Sequence, residues 1–282
     1  MQIGLRAHDY GTGVTPEKLA ELLAPFAPAG VQLALAKSLD GAPPAGGLNP
    51  GYARRVRAAL AGRGIAVAVL GCYINPVHPD AGERERQLRR FEEHLRHARD
   101  FGCPTVATET GSLNPDCSFH PGTGAPEVFE LLCRSLRRLA AFAERCGASV
   151  AIEAVADRHT VSSVEKMAEA IRRVDSPALS VIYDPVNLVP AAGLDGPHAD
   201  FFARAFDAFG DRITAVHAKD FRMEGGVKNG ALPAGTGVLD YRALMALVGE
   251  RKPGIDVLLE DSSPETGLAA MEFVRNSAGA NR

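Results

Sequence analysis

A chain of 282 residues suits one large barrel, and its 46% apolar and 23% charged residues mark a globular protein that needs no staples. Its net charge of −3 lacks the basic excess of a dedicated nucleic-acid binder. No apolar run approaches the ~20 residues of a membrane span, and the start MQIGLRAHDYG shows no secretory leader, so the expectation is a cytoplasmic protein with neither nucleic acid nor membrane as a partner.

The five cysteines, Cys72, Cys103, Cys117, Cys133 and Cys146, are odd in number and form no CxxC pair. That argues against a disulfide framework or a structural zinc site. Most read as small buried apolar residues, with Cys72 at a strand end where it could border a site.

Strand and helix alternate eight times. IGLRA (3–7) is the first strand, and helix 16–27 follows with Pro16 in its first turn. VQLALA (31–36) is the second strand; Asn49 then caps a helix that starts at Pro50 and runs to Arg63. IAVAVLG (65–71), nearly all apolar, suits a parallel sheet buried on both faces. Asp80 opens a long charged helix that ends near Gly102. TVATET (105–110) is the fourth strand, and helix 126–146 stops at Gly147.

SVAIEAV (149–155) is the fifth strand, and Ser162 with Glu165 has capping-box spacing before helix 163–174. LSVIYD (179–184) is the sixth, followed by helix 198–209. ITAVHA (213–218) is the seventh, then a glycine-rich stretch and helix 241–250. IDVLLE (255–260) is the eighth; Pro264 begins a final helix to Asn276, and the tail SAGANR reads as frayed. Eight such units over 1–282 predict a single-domain α/β protein, a (β/α)8 TIM barrel. A doubly wound sheet is the alternative, but HDYGTGVTPE after the first strand lacks the third glycine of a dinucleotide site.

Barrel chemistry sits at the C-terminal ends of the strands. Glu153, Asp184, His217 and Glu260 fall at the ends of strands five to eight, which are neighbours around the rim. A lone strand-end acid is usually solvated, and a lone histidine usually a satisfied core residue. Three carboxylates together would repel one another, and each is costly to bury unpaired. One divalent metal ion removes the conflict. Oxygen ligands with one imidazole suit Mn²⁺ first, with Mg²⁺, Co²⁺ or Zn²⁺ as alternatives.

IEAV, YDPVNL, HAKDF and LLED, in that order, resemble the xylose isomerase-like TIM barrels, and more narrowly the sugar phosphate isomerase/epimerase group. ATETG (107–111) and PAGTGVLDY (233–241) fit as well, and the resemblance covers essentially the whole chain. It implies one metal held by Glu153, Asp184, His217 and Glu260, with Glu153 and Glu260 also moving substrate protons through a metal-bound cis-enediolate. It implies a small-molecule carbohydrate or polyol substrate, and it suggests pairing into homodimers. Two positions depart from the better-known epimerases: Asn187 stands where many relatives have a substrate-contacting histidine, and His159 where the epimerases have a second glutamate.

Lys219 shares the face of His217 if the strand continues, and could bind an anion or a developing enolate; a salt bridge to Asp220 or another rim acid is the alternative. His8, Glu109 and Asn75, like His159 and Asn187, are candidates for binding substrate hydroxyls. His94 and His97 read as solvated, and Arg86, Arg89 and Arg90 as the outer face of their helix. Asp261 is expected to point away from Glu260, because strand side chains alternate. Specificity falls to loops 72–79, 111–124 and 218–239. The leading function is an isomerase or epimerase of a sugar, keto-sugar or polyol-derived ketone. The alternatives are a dehydratase of a cyclic keto-polyol, a phosphodiesterase of the endonuclease IV type and a non-catalytic sugar-binding barrel.

Overall fold

Apolar runs four to seven residues long, set between glycines, prolines and capped helices, make the strands. The computed structural model describes residues 1–279. The strands are β1 (Gln2–Arg6), β2 (Gly30–Ala34), β3 (Ala66–Gly71), β4 (Thr105–Glu109), β5 (Ser149–Glu153), β6 (Leu179–Tyr183), β7 (Ile213–Glu224), β8 (Val227–Pro233) and β9 (Asp256–Leu259). The helices are α1 (Pro16–Leu23), α2 (Leu35–Ser38), α3 (Pro50–Ala61), α4 (Ala81–His97), α5 (Pro126–Cys146), α6 (Val164–Val174), α7 (Pro185–Leu188), α8 (His198–Phe209), α9 (Tyr241–Arg251) and α10 (Gly267–Gly279).

Strands β1 to β7 pair in parallel with their sequence neighbours, and β9 closes the ring between β7 and β1. This is the expected (β/α)8 barrel. Its interior holds a layer of Val69, Ala107, Ala151, Ile182, Ala215 and Leu258. Alternate residues face outward, where Leu70, Val106, Val150 and Val216 join helix residues such as Phe91, Leu136 and Phe202 in the main core. Helix starts follow the sequence signals: Thr15, Asn49 and Asp80 accept hydrogen bonds from the amides of Lys18, Tyr52 and Glu83. Among the described residues, no helix is long and apolar enough to cross a membrane. All five cysteines are free, and Cys72, Cys103 and Cys133 are buried.

Several expectations are corrected. Helix α6 is capped by Ser163, whose hydroxyl accepts from Lys166 N, one residue beyond Ser162. Helix α1 stops at Leu23, and α10 starts at Gly267. Ser277–Gly279 of the tail are helical, and its remaining residues lie outside those described. His97 is buried with Nδ1 3.3 Å from Asp100 Oδ2, and His94 Nδ1 donates to the Arg90 carbonyl at 2.8 Å, so neither is freely solvated. Arg90 turns inward and donates to the Tyr73 carbonyl.

The largest correction lies in 218–239, read as a loop. Here β7 runs on to Glu224, turns through Gly225 and Gly226, and pairs antiparallel with β8. Both turn glycines have positive φ, 59° and 83°, as a two-residue hairpin requires. Asp220 anchors the base by accepting from the amides of Phe221, Gly235 and Leu239. Lys228 Nζ ties the other strand to the carbonyls of Val186 (2.9 Å) and Val189 (2.5 Å).

Close packing where β1 meets β2 predicts a stability contrast. A Cβ on Gly4 would collide with the Gly30 carbonyl oxygen and lie 2.6 Å from Leu258 Cδ2, whereas one on Gly249, in α9, meets nothing within 4 Å. Gly4→Ala should lower unfolding free energy by about 1–3 kcal/mol. Gly249→Ala should raise it by about 0.5–1 kcal/mol. Urea denaturation of both variants checks the pair.

Candidate metal centre

Glu153 ends β5, Asp184 follows β6 as the cap of α7, His217 lies in β7, and Glu260 follows β9. All four are buried, with exposures of 5%, 2%, 1% and 8% in that order. One ligand-type atom from each lies within 4.8 Å of all the others. The predicted quartet therefore meets at one point.

Local bonding aims each group. Asp184 Oδ1 accepts from the Asn187 amide at 2.8 Å, which leaves Oδ2 for the centre. Gln32 Nε2 donates to the Tyr73 hydroxyl at 3.0 Å, so Gln32 presents Oε1 to His217 Nε2, 2.6 Å away. Burial opposes the His217 charge, but Glu153, Glu260 and Asp184 outweigh it and favour the protonated ring in the metal-free protein; on a cation the neutral ring would keep its proton on Nε2 and offer the Nδ1 lone pair to the centre. Nδ1 lies 2.8 Å from Glu260 Oε2, 3.3 Å from Glu153 Oε1 and 3.6 Å from Asp184 Oδ2.

The donor set fits a divalent cation. Asp184 Oδ2 and Glu260 Oε2 are buried without an aligned hydrogen bond, their nearest charged neighbours being Lys219 Nζ at 3.0 Å and His217 Nδ1 at 2.8 Å. These two carboxylate oxygens, a third carboxylate and an imidazole nitrogen converge, a mixed oxygen and nitrogen set for Mn²⁺, Mg²⁺, Co²⁺ or Zn²⁺. The two glutamates differ. Burial, reinforced by the charges of Glu260 and Asp184, raises Glu153 to about 7 against the pull of His217. Burial also opposes the Glu260 charge, but Lys219, His217 and Arg6 outweigh it and hold that carboxyl well below its usual range.

Strand β7 does continue, and it delivers Lys219 to the same cluster. Its Nζ lies 3.0 Å from Asp184 Oδ2 and 3.4 Å from Glu260 Oε1, and it does not pair with Asp220. Arg6, at the end of β1, donates to Glu260, to Asp9 (2.9 Å) and to Asp261 (2.8 Å). Asp261 thus corrects its expectation. The strand stops at Leu259, and a φ of 53° at Asp261 swings its carboxylate back toward Arg6 and Lys219. Strand alternation no longer applies there.

Asn187 Nδ2 donates to Glu153 Oε1 at 2.6 Å, so its first partner is a ligand carboxylate. His159 is buried, with Nε2 donating to the Cys117 carbonyl at 3.2 Å and lying 3.8 Å from Glu109 Oε2. Glu109 is in register with Glu153 on the adjacent strand. His8 meets Tyr73 edge-on, and its Nδ1 is buried without a partner; burial, then Arg6 and Lys37, lower it to about 3. Asn75 spends both amide donations on the carbonyls of Ser112 and Asn114, which leaves none for a substrate hydroxyl. Gln32, Arg6 and Tyr73 were missed from sequence. A glutamine inside VQLALA was the available signal for Gln32: a buried amide needs partners, and its own lie across the barrel.

The xylose isomerase-like TIM barrel family model matches residues 20–277. Among solved structures, a D-tagatose 3-epimerase-like protein superposes with a TM-score of 0.77 at 15% identity, covering 99% of this chain and 97% of that one. D-psicose 3-epimerase of Clostridium cellulolyticum H10, solved with D-tagatose, gives 0.74 at 12% identity, with 99% of both chains covered. A xylose isomerase-like TIM barrel protein of Mycobacterium smegmatis, in complex with magnesium, gives 0.73 at 17% identity, covering 98% and 97%. At these identities the likeness is one of fold. No curated protein matches the chain. With the family model spanning nearly all of the barrel, the chain belongs to the xylose isomerase-like TIM barrel family.

Proposed function

We propose that the protein is a divalent-metal-dependent isomerase or epimerase of a sugar, keto-sugar or polyol-derived ketone, acting by proton transfer at the carbon beside a carbonyl. The observation that carries this reading is the meeting of two buried glutamates, Glu153 and Glu260, with Asp184 and His217 in one four-residue centre. Two carboxyls at such a centre can serve as the acid and the base of a proton transfer. A divalent cation held by Glu153, Asp184, His217 and Glu260 would polarise the carbonyl and acidify the neighbouring C–H.

Glu260 takes the proton as base, kept in its carboxylate form by Lys219 and Arg6. The C–H electron pair moves into the carbonyl and leaves negative charge on its oxygen, which the Lys219 ammonium can stabilise. Glu153 returns a proton to carbon, with Asn187 fixing its Oε1. The reverse direction exchanges the two roles. Return to the opposite face of the same carbon is epimerisation; return to the neighbouring carbon, with the adjacent hydroxyl proton passing to the former carbonyl oxygen, is isomerisation. The epimerase neighbours support this class of chemistry, and the magnesium-bound one supports a hard divalent ion.

Calorimetry should find about one Mn²⁺ or Mg²⁺ bound per chain, with binding lost in Asp184→Ala. Glu153 sits near 7 in the fold against 4.5 unperturbed, so the metal-free fold holds its proton more tightly than the unfolded chain does. Metal-free stability should therefore fall as pH rises from about 4.5 to 7. Thermal melts of the metal-free protein across pH 5–8 read this trend; a flat profile would contradict it.

Ketoses incubated in D₂O should exchange the proton beside the carbonyl. With metal saturating, Glu260→Gln should depress that exchange by at least ~10²-fold. Near-normal exchange would remove Glu260 as the base. Gln32→Leu frees His217 Nε2 and should weaken metal binding about 10–100-fold with the ligands themselves intact, which titration measures.

A further inference from the structure

A cavity of about 490 Å³ lies between α2, the segment 39–48 and α4, within the ~300–1,000 Å³ usual for small-molecule sites. Leu35, Leu39, Ala42, Pro43, Pro44 and Leu48 make most of its wall. Prolines carry no N–H, so sugar hydroxyls would find few partners there. The polar side chains that reach the cavity are largely engaged. Glu93 is buried and accepts from the amides of Gly46 (2.9 Å) and Leu48 (2.7 Å), which fixes the 39–48 segment to α4. His94 Nδ1 is bonded to the Arg90 carbonyl, Arg90 Nη2 donates to the Tyr73 carbonyl, and Lys37 Nζ rests 4.0 Å from the centre of the Tyr73 ring. Arg90 Nε, buried without a partner, keeps one donor, enough for a single ether oxygen.

The cavity adjoins the metal centre. Tyr73 lines it, and the Tyr73 hydroxyl accepts from Gln32, which holds His217. Ala34 lines it too, two residues past Gln32 on β2 and so on the same face of that strand. A pocket with an apolar wall, a clamped roof and a side shared with the centre takes a part of the ligand that water does not hold. We propose that this cavity receives an apolar aryl or alkyl group carried through oxygen on the substrate, which makes the substrate a neutral keto-sugar ether or glycoside. The assignment rests on the isomerase reading for the place of the carbonyl.

Calorimetric titration of the Mg²⁺-loaded protein with D-fructose and its 6-O-methyl, 6-O-benzyl and 1-O-benzyl ethers compares neutral ketoses that differ only in the substituent. At least one benzyl ether should bind at least ~10-fold more tightly than D-fructose, from the apolar area a phenyl ring removes from water. The methyl ether should gain less. Ala36→Phe fills the cavity from an exposed position in its lining and should abolish the preference. Ala42→Phe, from the opposite wall segment, should do the same, and Mg²⁺ titration of both variants reports that the fold is intact. Ala208→Phe, on the exposed side of α8, should leave the preference unchanged. Benzyl ethers that bind no tighter than D-fructose, benzyl ethers that do not bind measurably, or a preference that survives both Ala36→Phe and Ala42→Phe overturns the pocket. Deuterium exchange on the same sugars keeps the two readings apart. A benzyl preference without exchange removes the isomerase reading and keeps the pocket, and exchange without preference does the reverse.

Discussion

Three carboxylates buried around one point set the terms for the upper half of this barrel. Held a few ångströms apart in a medium poorer than water at screening charge, Glu153, Asp184 and Glu260 repel one another and have lost their hydration. The fold answers with cations from separate strands: His217 and Lys219 from β7, and Arg6 from β1. A divalent metal ion held by Glu153, Asp184, His217 and Glu260 would complete that compensation. The barrel makes this possible because its strand ends are fixed relative to one another by closure, so charges far apart in sequence can be opposed at hydrogen-bond distance.

The compensation is uneven, and the unevenness shapes the chemistry. Arg6 and Lys219 both lie against Glu260, while Glu153 has an amide from Asn187 and shares His217. Without a metal, one glutamate is therefore held as an anion while the other keeps its proton up to about pH 7. Asp261 belongs to the same arrangement. Its left-handed backbone costs some strain and places a third acid on each of two cations, joining Asp9 and Glu260 on Arg6 and Asp184 and Glu260 on Lys219.

Much of this was legible in the sequence because barrels impose a simple rule. A polar residue that closes an apolar strand lies at the rim, and so the quartet and the alternation of elements could be read directly. What escaped reading depends on contacts between distant strands or on breaks in periodicity. Gln32 is an isolated amide in a hydrophobic strand, and its partners Tyr73 and His217 come from β3's loop and from β7. Asp261 escapes because alternation holds only as far as Leu259, two residues before it. Arg90 was assigned to solvent because it sits in a run of arginines, and helix phase alone does not show which of them meets the neighbouring loop. The hairpin at 218–239 did have a signal: Gly225–Gly226 lies between residues able to extend β7 and start β8.

That hairpin separates what can vary from what cannot. Its base is riveted by three amides on the Asp220 carboxylate and by Lys228 on two carbonyls, and the strand below it carries Lys219 and His217. Its tip, from Met223 to Val227, is exposed and turns on two glycines. Length and composition can drift at the tip while the rivets hold the strand, and with it the imidazole, in place. The molecule thus keeps an adjustable rim segment a few residues from its least adjustable side chains, so new substrate contacts can be tried there without rebuilding the centre beneath.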